Sequence, residues 1–361
     1  MSFLLILSTG LYLAFILYII AGLFRHNEQP ITSTEETPFV SVVIAARNEE
    51  QNLPDLIQDL VNQEYPLDKL EVIIVDDRST DSTSTILTEA TDNFAFIKQI
   101  RVDGRSVEMT PKKHALNLGI NASKGEVIVS TDADCRVGKL WVSSMAYSVV
   151  QQGGISVGYS KIAGESFFEQ VQRVDFLGII AANAGVGGWG QFWSGSGQNL
   201  AYKKSDFEAI DGFEWVKDKP SGDDMYLVQS ISKLKSGVIN IDPNSFVTTS
   251  AVQSLREFMN QRTRWSSNSR VNAKQNYLFF AFLFSAFLCN TTILLSFLFG
   301  HAWFFAFSMK FILEGCVIFL GGKLFDTKVN PLVYFAWAFA QPVYIPVVGL
   351  MGLQYRFTWK T

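Results

Sequence analysis

Residues 3 to 24, FLLILSTGLYLAFILYIIAGLF, carry no charge over the length of about 20 helical residues that a bilayer core requires. A segment in hydrocarbon must satisfy its own backbone hydrogen bonds, so this one is expected to be a transmembrane helix. No positive charge precedes it and no small-residue cleavage site follows, so it is expected to remain as an anchor rather than leave as a signal peptide. Arg25 follows at once, with no Lys or Arg ahead of the run, and the positive-inside rule then puts the next domain in the cytoplasm. After Tyr277, LFFAFLFSAFLCNTTILLSFLFG gives a second strong span, and weaker ones follow near residues 302–322 and 331–353. Lys310 and Glu314 stand four apart on one helix face there, so each neutralises the other. The pair either packs helices or serves a role near an acceptor. Pro342 and Pro346 break up the last segment as a re-entrant or interfacial piece, which leaves two or three C-terminal spans.

The remaining composition describes a water-facing domain tied to that membrane part. The 361 residues are 48% hydrophobic with 30 Phe, yet 18% are charged. A net charge of −4 argues against general nucleic-acid binding, which needs a basic face. Cys135, Cys289 and Cys316 are too far apart for a disulfide framework or a zinc site. The polar stretch EQPITSTEETP reads as a linker between anchor and domain. The expected organisation is an anchor over 1–26, an α/β domain over 38–250, an interfacial helix over 251–276, and a transmembrane region over 277–353.

Between the anchors, strand and helix patterns alternate. FVSVVIAA, LEVIIVDD, FAFIKQI and EVIVSTDAD are apolar or β-branched runs, and NLPDLIQDLVNQ, STDSTSTILTEA and KKHALNLGINAS between them have helical spacing. This predicts a parallel α/β domain. Three strands deliver polar residues at their carboxyl ends: Arg47, Asn48 and Glu49; Asp76 and Asp77; Asp132 and Asp134. Asp132 and Asp134 alone are equally an Asp-rich turn or a cation and phosphate site. Three such ends on one sheet edge favour a ligand site, because open α/β sheets bind ligands there.

SVVIAARNEE, IIVDDRSTDST, KKHALN, STDAD, GSGQNLAYKKSDFEAIDGF, SGDD and QRTRW, in this order, resemble the family 2 glycosyltransferases. The resemblance covers roughly residues 38 to 270, and QRTRW is similar to the QxxRW signature of the membrane-integrated branch. That branch includes enzymes of the ceramide glucosyltransferase, poly-N-acetylglucosamine, cellulose and hyaluronan synthase types. The resemblance implies a GT-A fold, Rossmann-like, that transfers a sugar from a nucleotide diphosphate with inversion at the anomeric carbon.

It also implies residue roles. Asp134 is the direct ligand of a divalent cation, Mg²⁺ or Mn²⁺, with Asp132 beside it and nearer the ribose or phosphate; hard cations take such oxygen ligands and bridge diphosphate oxygens. Asp76 hydrogen-bonds the nucleobase, which favours a uracil N–H and hence a UDP-sugar. Ala45, Arg47 and Glu49 cradle the nucleoside. Lys112 contacts a phosphate or a uracil carbonyl, against the alternative of a solvated first turn beside Lys113; Pro111 stands where the family usually has Gly. Asp224, the last acid of SGDD, is the base that takes the acceptor's proton, and Asp223 raises its pKa or positions the acceptor. Residues 221–224 are equally a cap for the helix MYLVQSISKL.

In QRTRW, Gln261 and Arg264 reach the diphosphate and Trp265 stacks beneath the acceptor. The competing reading of this segment, with Arg256, Arg262, Arg264, Arg270 and Lys274, is an interfacial helix drawn to anionic headgroups. GVGGWGQFWSGSGQN lacks the GK[ST] ending of a phosphate loop. Its Trp189 and Trp193 border a sugar site or pack a core. The expected partners are a UDP-sugar, a lipid or glycan acceptor and the membrane, with a homo-oligomer or partner subunits if a polymer is extruded. Few trailing helices favour a lipid acceptor over a processive synthase. A catalytically silent nucleotide-sugar binding subunit is disfavoured because Asp76, Asp132, Asp134, Asp224 and Arg264 are all present.

Overall fold

The computed structural model describes residues 2–26, 37–300 and 303–354, so most of the expected linker lies outside the described residues. The chain divides into two compact units, 27–161 with 190–250 and 1–26 with 162–189 and 251–361.

The first unit is the α/β domain. Its strands are β1 (Val40–Ala46), β2 (Leu70–Asp76), β3 (Ile97–Arg101), β4 (Val127–Ser130), β5 (Cys135–Val137), β6 (Ile155–Val157), β7 (Ser160–Ile162), β8 (Leu200–Lys203), β9 (Gly237–Ile239) and β10 (Val247–Thr249). β1 and β2 read as unbroken apolar runs because both faces of the sheet are covered. On one face Leu53, Leu56, Ile57 and Leu60 of helix Leu53–Val61 and Trp141, Met145 and Val149 of helix Trp141–Gln152 pack against Val40, Val42, Val72 and Ile74. On the other, Ala115 and Leu118 of helix Pro111–Ala122 meet Ile73 and Val75.

The large sheet is ordered β3-β2-β1-β4-β8-β6-β9, and β5-β10-β7 form a small one. β1 pairs in parallel with β2 and β4, in a register that puts Ala46 beside Asp76. The expectation of a parallel domain needs correction at β8, which runs antiparallel to both β4 and β6. The chain first re-enters the sheet at β6 in the sense of β4, and only then does β8 insert between those two strands in the opposite sense. β4 also stops at Ser130, so Asp132 and Asp134 occupy the turn that leads to β5 rather than the strand itself.

The second unit is helical. Among the described residues four helices are long and apolar enough to cross a membrane: Phe3–Leu23, Tyr277–Phe299, Trp303–Leu324 and Pro331–Leu353. The last is a continuous helix with Pro342 and Pro346 buried inside it, not a broken segment. Each proline costs one backbone donor, a loss that transmembrane helices tolerate where neighbouring helices adjust. Helix Phe167–Gly187 packs against the N-terminal helix through glycine. A Cβ on Gly22 would stand 1.7 Å from the Gly185 carbonyl oxygen, and one on Gly188 would stand 2.1 Å from that of Gly22. Only small residues permit backbones this close.

Lys310 donates to Glu314 Oε2 at 2.7 Å and to Gln341 Oε1 at 2.8 Å, while Tyr12 donates to Glu314 Oε1 at 2.5 Å. The expected i, i+4 pair is therefore present and fully buried, and it ties three of the long helices together.

Candidate active site

The carboxyl ends of β1 and β2 are held by an interlocked pair of loops. Asn48, at φ 54°, accepts from Thr80 N–H through Oδ1 at 2.8 Å, and Glu50 N–H donates to Asp81 Oδ2 at 3.2 Å. Ala45 lies within β1. Arg47 faces Asp77 at 3.7 Å, and Arg78 forks onto the same carboxylate at 2.8 and 3.1 Å. Glu49 is occupied locally: its backbone N–H donates to Thr83 and its side chain accepts from Asn52 at 2.7 Å. Asp76 is fully buried at the end of β2. Its Oδ1 accepts from Ser79 N–H at 2.9 Å, and its Oδ2 has no partner. A buried carboxylate oxygen without a donor is costly, which makes it a place where a ligand N–H would be rewarded.

Lys112 donates to Asp132 Oδ1 at 2.6 Å. Pro111 is the first residue of this helix, where its missing N–H is harmless, so the proline is compatible with the lysine's placement. Burial opposes the Lys112 charge, but Asp132, Asp223 and Asp224 together outweigh it and hold the ammonium above the ordinary lysine range. The solvated-turn alternative fails most clearly at Lys113. That side chain is 1% exposed, donates to the Lys219 carbonyl at 2.6 Å and lies 3.9 Å from Asp223. Its burial pushes its pKa down.

Asp223 and Asp224 open helix Asp223–Leu234, but neither is the cap: Gly222, in a left-handed conformation at φ 90°, holds that position with no side-chain bond. Asp224 Oδ1 accepts from Met225 N–H at 2.7 Å and its Oδ2 from Gly197 N–H at 3.1 Å. A Cβ on Gly197 would lie 3.7 Å from both Asp224 Cβ and Lys112 Nζ. Gly197 thus brings the glycine-rich loop between the lysine and the acid, a contact the sequence did not single out. Burial first, and the neighbouring Asp223 second, push Asp224 up to about 6.

Lys112, Asp132, Gly197, Asp223 and Asp224 therefore meet at one place, with Asp134 exposed on the turn two residues beyond Asp132. Among the described residues, no group of three or more His, Cys, Asp and Glu side chains gathers as a metal cluster. Trp193 is 2% exposed in the core, and Trp189 stacks on Tyr18 at 5.2 Å with Arg25 over its ring, so both indoles pack rather than line this site.

Gln261, Arg264 and Trp265 belong to the helical unit, on helix Leu255–Ser267. There Arg262, which the sequence left among headgroup-binding charges, is 4% exposed. It donates from Nε to Asp175 Oδ2 at 2.6 Å and from Nη1 to Gln261 Oε1 at 2.5 Å.

A seven-stranded mixed sheet with acids and a lysine at the carboxyl ends of its parallel strands is the GT-A type of glycosyltransferase fold. The mannosyltransferase PcManGT from Pyrobaculum calidifontis, in complex with GDP-Man and Mn²⁺, shares it: the match covers 98% of this chain and 99% of that one, with a TM-score of 0.66 at 17% identity. Residues 41–210 match the family model described as glycosyl transferase family 2. The probable glycosyltransferase YdaM of Bacillus subtilis is 28% identical over 268 residues, 70% of this chain and 62% of that protein. A beta-monoglucosyldiacylglycerol synthase of Nostoc sp. is 40% identical over 114 residues, 31% of this chain and 23% of that protein. The aligned segments cover less than two thirds of the length of each of these relatives.

Proposed function

We propose that the chain is a membrane-bound, inverting glycosyltransferase of the QxxRW branch that moves a sugar from a UDP-sugar to a lipid or glycan hydroxyl on the cytoplasmic side. The observation that carries this reading is the meeting of Lys112 and Asp132 with Asp224. It sets a phosphate-seeking ammonium a short distance from a carboxylate whose raised pKa suits a base.

Asp132 and Asp134 offer hard oxygen donors one residue apart, and Lys112 engages one Asp132 oxygen only, so the pair fits a divalent cation. When bound, such a cation neutralises charge on the diphosphate. The protein's own residues do the rest. Asp76 Oδ2 accepts from the base of the nucleotide, which matches the imide N–H of uracil. Ala45, Arg47 and Glu49 border the nucleoside and Lys112 binds the diphosphate; for Gln261 and Arg264, the resemblance of QRTRW to the QxxRW signature supports a role as diphosphate ligands.

Asp224 takes the proton of the acceptor hydroxyl as its oxygen attacks the anomeric carbon from the face opposite the diphosphate. The bond from that carbon to the phosphate oxygen breaks, and UDP leaves with the electron pair. Asp223 holds the Asp224 pKa high, and Trp265 stacks against the acceptor. The name of the Nostoc relative and the small number of long apolar helices both favour a membrane lipid over an extruded polymer.

The test is UDP release by the full chain in nanodiscs over a panel of UDP-sugars, with Mg²⁺ or Mn²⁺ and with or without total lipid extract. Lipid-dependent release with a glycolipid of defined mass is expected. A ladder of products without lipid would make the enzyme a processive synthase, and UDP binding without turnover across all acceptors would make it a silent binding subunit. Addition of EDTA is expected to abolish turnover and Mn²⁺ or Mg²⁺ to restore it. Unchanged turnover in EDTA would remove Asp132 and Asp134 from metal binding.

A further inference from the structure

Arg262 lies inside the QxxRW signature at a position the signature leaves open, yet it is 4% exposed and engages both an acid and two aromatic rings. Its guanidinium is 4.2 Å from the Trp265 ring centroid and 4.6 Å from that of Phe258. Its Nε bonds to Asp175 of helix Phe167–Gly187, and Asp175 Oδ1 also accepts from Trp337 Nε1 of helix Pro331–Leu353 at 2.9 Å. Its Nη1 donates to the side-chain amide oxygen Oε1 of Gln261. Phe176 also packs against Trp265, tilted, with ring centroids 5.8 Å apart. A buried Arg–Asp pair of this kind is seldom retained for stability alone, since an apolar pair of similar volume often serves as well.

We propose that Arg262 is a positioning residue: through Asp175 and Trp337 it fixes Gln261 and Trp265 against the helical bundle, so that the motif's donor-facing amide and acceptor-facing indole are presented in one orientation. This rests on the reading of Gln261 as a diphosphate ligand. The planar fork matters more than the charge. A lysine would keep the ion pair with Asp175 but could not also hold the Gln261 amide and lie flat on Trp265.

The experiment is a double-mutant cycle on UDP affinity, measured calorimetrically with Mn²⁺ on the full chain in nanodiscs. Gln261→Ala is expected to weaken UDP about 10-fold, as for loss of one hydrogen bond to a charged group. Arg262→Lys is expected to weaken it similarly, and the double variant to be no more than about twofold worse than Gln261→Ala, because both remove the same contact.

If the two losses multiply, or if Arg262→Lys binds UDP like the wild type while Gln261→Ala does not, Arg262 has only a packing role and the proposal fails. If Gln261→Ala itself binds UDP normally, the underlying reading of the motif fails instead. Asp175→Asn, which keeps an acceptor for Trp337 and removes the anchor for Arg262, repeats the cycle should Arg262→Lys not fold, with the same non-additivity expected and full multiplication overturning the proposal.

Discussion

The Nζ of Lys112 stands 2.6 Å from Asp132 Oδ1 and, on its other side, within contact distance of the position a Gly197 side chain would fill. One ammonium therefore pairs with the acid of the turn between β4 and β5 and reaches the loop whose Gly197 N–H holds Asp224. Lys112→Met is expected to lower turnover about 100-fold, the scale of a lost electrostatic contact to a leaving group. It is also expected to weaken UDP binding, and Lys112→Arg to recover part of both. Steady-state UDP release and calorimetry on the same preparations check this; wild-type values for Lys112→Met would sink the assignment.

Asp224 carries a pH prediction. Its folded-state pKa of about 6 lies above that of an ordinary carboxyl, so the base form is lost as pH falls below about 6 and kcat/KM should fall tenfold per unit there. Asp223→Asn removes the like charge and should move that limb to lower pH.

The same shift has a stability consequence of opposite sign. A raised carboxyl pKa means the fold prefers the protonated form, so Asp224 costs stability as pH rises from about 4 through 6. Asp224→Asn should therefore abolish turnover yet raise Tm at pH 7.5, with the gain shrinking as pH falls below about 6 and vanishing below about pH 4. A Tm difference independent of pH would rule this out.

Asp76→Asn replaces an acceptor-only carboxylate with a group that presents an N–H toward the site in one of its two orientations. UDP affinity should fall by about 10-fold, as for a bond to a charged acceptor. A drop of the same size in turnover with saturating UDP-sugar would instead indicate a chemical role.

Lys310→Met leaves Glu314 buried without its cation and should cost about 3–5 kcal/mol, seen as loss of folded protein on mild heating in detergent. Adding Glu314→Met should recover most of it. A double variant no better than the single would mean the pair is required for more than mutual neutralisation.

Much of the domain was legible because buried parallel strands advertise themselves as continuous β-branched runs, and β1 and β2 do so. Asp76 and Asp132 stand out in the sequence because acids directly at the end of an apolar strand run are conspicuous, and Asp224 because it opens a helix. The antiparallel return of β8 was not: LAYK is short, and its pairings with β4 and β6, like the 2.9 Å bond from Trp141 Nε1 to Asn199 Oδ1 just ahead of it, join positions far apart in the sequence. Arg262 was misread for a similar reason. Its local sequence is basic and polar, and the carboxylate that buries it lies 87 positions earlier. Lys113 looked solvated beside Lys112 because the carbonyl it meets belongs to Lys219.

The i, i+4 placement of Lys310 and Glu314 also bears on biogenesis. Helix Trp303–Leu324 brings the counter-ion of Lys310 in its own next turn, so that charge is balanced as soon as the helix forms, before Gln341 of the following helix has been made. Packing against Tyr12 and Gln341 then adds hydrogen bonds from uncharged groups rather than the neutralisation itself.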